Sequence, residues 1–201
     1  MSAREEVLAR VRAALGGADP SPVHVDRAYR ARRAVPEGAD AVALFAERVA
    51  DYRASVTRCA AADLERTVAH AVGDARRVLV PEGLGLEVPG ALEDTGLDAA
   101  ALDAVDVVVT RAALGIAETG TIVLTHGPGQ GRRAITLVPD HHVCVLEEHQ
   151  VVPGVVDAVA ALDPARPQTW VSGPSATSDI ELDRVEGVHG PRRLHVLLVA
   201  T

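Results

Sequence analysis

Asp106-Val-Val-Val-Thr110 is an unbroken β-branched run with no polar residue alternating through it. A strand with one face in water alternates apolar and polar side chains, whereas a continuous run marks a strand covered on both faces. Arg77-Val-Leu-Val80, followed by the turn residues Pro81-Glu-Gly, has the same character. Working outward, strands are expected at 54–59, 119–125, 134–138, 142–146, 169–172 and 194–199. Helices are expected from Asp40 to about Tyr52, from Asp63 to Val72, from Asp98 to Ala104 and from Pro153 to Leu162, where proline at the start is tolerated. Strands interleaved with helices give an α/β fold, a three-layer sandwich with a largely parallel sheet. The strands at 134–138 and 142–146 are close in sequence, which leaves room for an antiparallel pair.

Upstream of this pattern, residues 3–15 read as an amphipathic helix with Val7, Leu8, Val11 and Leu15 at helical spacing, ended by Gly16-Gly17. Residues 17–38 are rich in Pro, Gly, Arg and Asp and have no period, which suits an arm. The expected organisation is an N-terminal helix and arm over 1–38 and one α/β domain over 39–201. No internal repeat is present.

The chain has 201 residues, 48% of them apolar but only 2% aromatic. Its core must therefore be built from Val, Leu, Ile and Ala, and it lacks the stacking platforms on which single-stranded nucleic-acid binding relies. A net charge of −8 repels phosphate backbones and anionic membranes, so neither is an expected partner. No apolar run approaches the roughly 20 residues that span a bilayer. Ser2-Ala3-Arg4-Glu5-Glu6 leads into no signal-peptide stretch. A soluble cytoplasmic protein is the expectation, and the loose arm and apolar composition are compatible with a homo-oligomer. All 20 basic residues are arginine. Without lysine there is no Schiff base, no P-loop lysine and no Ser–Lys dyad. Cys59 and Cys144 form no CxxC pair, so no cofactor of the iron–sulfur type is expected, and both read as small apolar residues.

Unusual composition gathers in three places. In Gly115-Ile-Ala-Glu-Thr-Gly-Thr121 a carboxylate, Glu118, enters a buried strand with Thr119, Gly120 and Thr121 beside it. Gly127, Gly129 and Gly131 form either a backbone nest for an anion or a turn shaped by Pro128. Arg133 follows, and its planar guanidinium suits a carboxylate gripped by two hydrogen bonds. Arg132 reads as a surface residue. Ser172-Gly-Pro-Ser175 leads into a polar run. There Gly173 and Ser175 offer an anion site, and Asp179 and Glu181 would hold the loop or a ligand hydroxyl. His189, between glycines, is a candidate for acid–base work or ligand binding. His141 and His142 are adjacent and so face opposite sides of a strand. With no HExxH pattern, no metal is expected. No Gly-x-Ser-x-Gly elbow is present, which disfavours a hydrolase.

Taken together, Ala117-Glu-Thr-Gly-Thr121, Arg133, Leu137-Val-Pro139 with His142 behind it, Ser172 to Glu181, and Gly187-Val-His-Gly-Pro191 resemble the LUD domain family. The likeness is greatest to its lactate-utilisation C group and runs over roughly residues 75–200. The resemblance implies a fold akin to the sugar-phosphate isomerase and coenzyme A transferase superfamily, with ligands at strand ends. It implies a part in bacterial oxidation of L-lactate to pyruvate, beside iron–sulfur partner proteins. On this reading the chain binds a small carboxylate or other anionic metabolite. The alternative is a transferase or isomerase of that superfamily, with Glu118 as nucleophile or base, the place a loop glutamate holds in coenzyme A transferases.

Overall fold

The computed structural model describes residues 2–19, 21–26, 40–174, 176–177, 185–186 and 190–200. The chain divides into two compact units, residues 1–31 and 32–201. The first contains helix α1 (Ala3–Leu15), opened by a capping box in which Glu5 N–H donates to Ser2 Oγ and Ser2 N–H to Glu5 Oε2. The reciprocal pair satisfies two amides that a helix start leaves without partners. Most of the arm read over 17–38 lies outside the described residues.

The second unit runs α2 (Ala41–Asp51), β1 (Ser55–Ala60), α3 (Leu64–Val72), β2 (Val78–Val80), β3 (Leu92–Glu93), α4 (Ala99–Asp103), β4 (Val107–Arg111), β5 (Leu114–Ile116), β6 (Thr121–Leu124), β7 (His141–Glu147), β8 (Val151–Val152), α5 (Val155–Ala161), β9 (Thr169–Val171), β10 (Ala176–Thr177), β11 (Val185–Glu186) and β12 (Arg193–Ala200). Six strands form one parallel sheet in the order β1-β12-β7-β4-β2-β3. This is the α/β architecture expected. As expected of continuous runs, Val107, Val108, Val109 and Thr110 are all buried. Asp40 caps α2, accepting from the amides of Val42 and Ala43.

Alternation along the central strands sorts side chains into two layers. Val143, Val145, Leu197 and Val199 pack with Leu64 and Val68 of α3. Cys144, Leu146, Val196 and Leu198 pack with Phe45 and Val49 of α2. On that second side lies a smaller sheet, β8-β5-β6-β9, whose β5–β6 and β6–β9 pairs are antiparallel. Its inner residues Ile122 and Leu124 join the α2 layer, while Leu114, Ile116 and Val123 pack against Ala158 of α5. Gly115 permits this stacking: a Cβ there would lie 2.7 Å from Leu146 Cδ2 and 2.9 Å from Phe45 Cε2.

Two expectations need correction. Residues 133–136 form a 3-10 helix, not part of a strand. The amides of Leu137 and Val138 both donate to Ala134 O, and Thr136 Oγ1 donates to Arg133 O, so local bonds replace a ladder. The antiparallel pairing expected near there is found in the second sheet instead.

Both cysteines are free, with Cys144 fully buried and Cys59 partly so. Burial pushes the Cys144 thiol up to about 12. Because the thiolate is the reactive form, Cys59 is expected to label with iodoacetamide in the native protein and Cys144 only after unfolding. Mass-spectrometric mapping of the alkylated peptides reads the difference.

Candidate functional site

A cavity of about 320 Å3 opens between the edge strand β9 and the amino ends of β7 and β12. Among the described residues it is lined by Arg133, Thr136 and Leu137 of the 3-10 turn, by β9 with Ser172–Pro174 behind it, by His142 and Leu194, and by Gly190 and Pro191. Pro174, before β10 in the chain, and Gly190, after β11, both line it. Open parallel sheets generally bind ligands at their carboxyl ends, and this cavity is at the opposite end. At the carboxyl end, charges neutralise one another: Arg111 pairs with Glu147 at 3.2 Å and Arg58 with Glu148 at 2.7 Å.

Adjacent arginines have different employment. Arg132 donates to both oxygens of Asp94, at 2.7 and 2.9 Å, and to Leu97 O. That guanidinium holds the Asp94 carboxyl below its ordinary range. Arg133 lines the cavity, and among the described residues no carboxylate pairs with it. His142 is 2% exposed and bonds Thr110 Oγ1 through Nε2 at 2.8 Å. Burial, with a smaller contribution from His141, pushes it down to about 4, so it stands as a neutral ring at neutral pH. His141, on the other face of β7, is a wall of a separate cleft with Arg193, Arg76 and Asp106.

The threonines of the Ala117–Thr121 motif reach the cavity indirectly. Thr119 Oγ1 lies 2.7 Å from Thr121 Oγ1, which lies 2.8 Å from Ser172 Oγ, a cavity wall. Gly120, at φ 60°, presses the turn onto α2. Glu118 is not among the described lining residues. Its amide donates to Pro153 O, and a Cβ on Gly154 would lie 3.2 Å from its Oε2, so the carboxylate sits at the start of α5. Gly173, at φ 82°, lines the cavity with its back to Tyr52.

The glycine run is a turn. Gly129 N–H donates to Glu82 O, and Gln130 and Gly131 N–H both donate to Gly127 O, so these amides are committed within the protein. Ser175, Asp179, Glu181 and His189 lie outside the described residues. Of the residues singled out in the sequence, the structure thus brings Arg133 and Gly173 to one cavity and sets Thr119, Gly120 and Thr121 behind it. Sequence reasoning placed His142 in the family motif and weighed it as a metal ligand, but not as a cavity wall, and passed over Thr136, Thr169 and Trp170. The signals for His142 were its place behind Leu137-Val-Pro139 and on an apolar strand face, two residues before Cys144. Among the described residues no group of three or more His, Cys, Asp or Glu could hold a metal, and no helix is long and apolar enough to cross a membrane.

Fold and site together define an α/β domain in which a parallel sheet and a smaller mixed sheet enclose an arginine-bearing cavity. The LUD domain model matches residues 39–199, and the chain belongs to the LUD domain family. It is 51% identical over 166 residues to lactate utilization protein C of Deinococcus radiodurans, covering 77% of each chain. Lactate utilization protein C of Bacillus pumilus is 39% identical over 92 residues, 42% of this chain and 38% of that one. The match thus spans less than half of the Bacillus relative. The crystal structure of a DUF162 family protein from Deinococcus radiodurans superposes with a TM-score of 0.68 at 41% identity, covering 79% of this chain and 96% of that one.

Proposed function

We propose that the protein serves lactate utilisation and binds a small carboxylate or similar anionic metabolite in the cavity beside β9. The observation that carries this is Arg133: it lines the cavity with no carboxylate partner among the described residues, while its neighbour Arg132 is tied to Asp94. The relatives' names supply the metabolic context. By the liquid share of about 30 Å3 per water, 320 Å3 equals about ten waters, room for lactate or pyruvate with ordered water beside it. Thr136, Thr169 and Ser172 offer hydroxyls, and Leu137, Val171 and Leu194 an apolar wall. Oxidation of lactate would then use iron–sulfur partner proteins, since this chain has no cysteine set to carry electrons.

Isothermal calorimetry with L-lactate, pyruvate and their neutral amides tests the reading. A charge-assisted hydrogen bond contributes on the order of 1.5–3 kcal/mol, so Arg133→Gln is expected to weaken carboxylate binding ten-fold or more and leave amide binding unchanged. Equal affinities in the two proteins would remove Arg133 from the site. The transferase or isomerase alternative requires Glu118 to reach substrate. It predicts that coenzyme A esters or sugar phosphates raise the melting temperature and that Glu118→Gln abolishes growth on lactate.

A further inference from the structure

His126 stands between two openings. It lines a cleft of about 570 Å3 at the carboxyl ends of β2 and β3, and its partner Thr169 lines the cavity on the other side. The residue has φ 57°, a left-handed conformation rarely adopted outside glycine. Both ring nitrogens are bonded, Nδ1 to Gly131 O at 2.9 Å and Nε2 to Thr169 Oγ1 at 2.9 Å. The ring's orientation is therefore fixed at both ends.

A carbonyl oxygen only accepts, so Nδ1 must carry a hydrogen. In the neutral ring Nε2 is then a bare lone pair, and the Thr169 hydroxyl donates to it. Thr169 has one proton, and with it committed to His126 only lone pairs remain for the cavity. An anion there meets an acceptor. When the ring takes a proton, both nitrogens become donors. Nε2–H then donates to Thr169 Oγ1, and the hydroxyl proton is released to point at a ligand.

We infer that His126 and Thr169 form a proton-coupled donor switch, by which protonation of His126 turns Thr169 into a hydrogen-bond donor for a carboxylate in the cavity. The inference rests on the cavity being the carboxylate site proposed above. Carboxylate binding and proton uptake at His126 then favour each other, as linkage requires. The charged groups facing His126 are Arg132 and Asp94, which neutralise each other, and Arg166 and Glu82 across the cleft. On the cavity side stand Arg133 and His142. His142, held at about 4, stays neutral over the range tested below.

Pyruvate is a suitable probe because it stays ionised between about pH 6 and pH 8, where histidine changes charge. The dissociation constant of the full-length protein for pyruvate should tighten about ten-fold from pH 8 to pH 6, the effect of one hydrogen bond to a charged group. Thr169→Val should bind weakly with a flat pH profile, and Thr169→Ser should restore both. In the free protein at pH 8, a long-range 1H–15N spectrum should show His126 with its hydrogen on Nδ1. A hydrogen on Nε2, or a Thr169→Val profile as steep as that of the unaltered protein, overturns the switch. If Arg133→Gln weakens pyruvate binding but the unaltered protein shows a flat pH profile, the switch fails and the cavity reading stands. If pyruvate binds equally to the unaltered protein, Arg133→Gln and Thr169→Val, the anion sits elsewhere and both fail.

Discussion

Gly120→Ala is expected to lower the unfolding free energy by about 2–5 kcal/mol, seen as a lower urea midpoint with unchanged slope. Two effects add. The glycine has φ 60°, and an L-residue held in the left-handed region loses roughly 1–2 kcal/mol. A Cβ there would also lie 2.7 Å from the carbonyl carbon of Arg48 and 2.8 Å from the Val49 nitrogen. Helix backbone cannot swing aside as a flexible side chain can, and overpacking of this kind costs typically about 1–3 kcal/mol. Gly85 supplies the control, with φ 66° and nothing within 4 Å of where a Cβ would stand. Gly85→Ala should show the conformational part alone. Equal losses at the two positions would mean that contact with α2 is not why glycine occupies position 120. The motif Ala117-Glu-Thr-Gly-Thr121 thereby acquires a physical account: Gly120 seats the turn on α2, and Thr119 and Thr121 carry a hydroxyl chain to Ser172.

The parallel sheet was legible because its strands are written as unbroken apolar runs, and β4, β7 and β12 stand within a residue of where those runs place them. The second sheet was legible only in part: β6 and β9 fall inside the runs expected at 119–125 and 169–172, but β5 and β8 were not expected, for a physical reason. β5 is three residues with Gly115 at its centre, a position chosen for close approach to Leu146 and Phe45 and not for strand propensity. β8 is only two residues long. The run Ala134 to Val138 misled because a short apolar stretch reads equally as strand or helix. Only Ile135 and Thr136 in it are buried. At the site, Arg133 was singled out from its place after the glycine turn and Arg132 set aside as a surface residue, but the cause of their difference could not be read. That difference depends on Asp94, 38 residues away, taking one guanidinium and not the other. Thr169 was invisible for the same reason: its meaning comes from His126, 43 residues distant.

Acidification should destabilise the domain most steeply between pH 6.5 and pH 4. His142 is fully enclosed, and burial lowers it from 6.5 to about 4. Above pH 6.5 the ring is neutral in both folded and unfolded chains and pH has no hold on it. As pH falls through 6.5 the unfolded chain takes a proton that the folded chain refuses, so folding loses ground until the folded ring titrates near 4. At about 1.36 kcal/mol per unit the loss from His142 is on the order of 3 kcal/mol, a large share of the roughly 5–15 kcal/mol typical of a domain. His141 moves in the same direction, lowered to about 4 by burial first and then by the charges of Arg193 and His195. Its loss in the same window is smaller because it is less enclosed. Asp94 does not compete within this range. Its carboxyl is held low by Arg132, so the stability it gives is lost only below its unfolded value near 3.8. Urea unfolding at a series of pH values separates the sources. His142→Gln keeps a side chain able to meet Thr110 but has no proton to gain, and its stability should fall less than half as steeply over the window. A profile in that variant as steep as the original would show that the neutral ring of His142 is not what acid attacks.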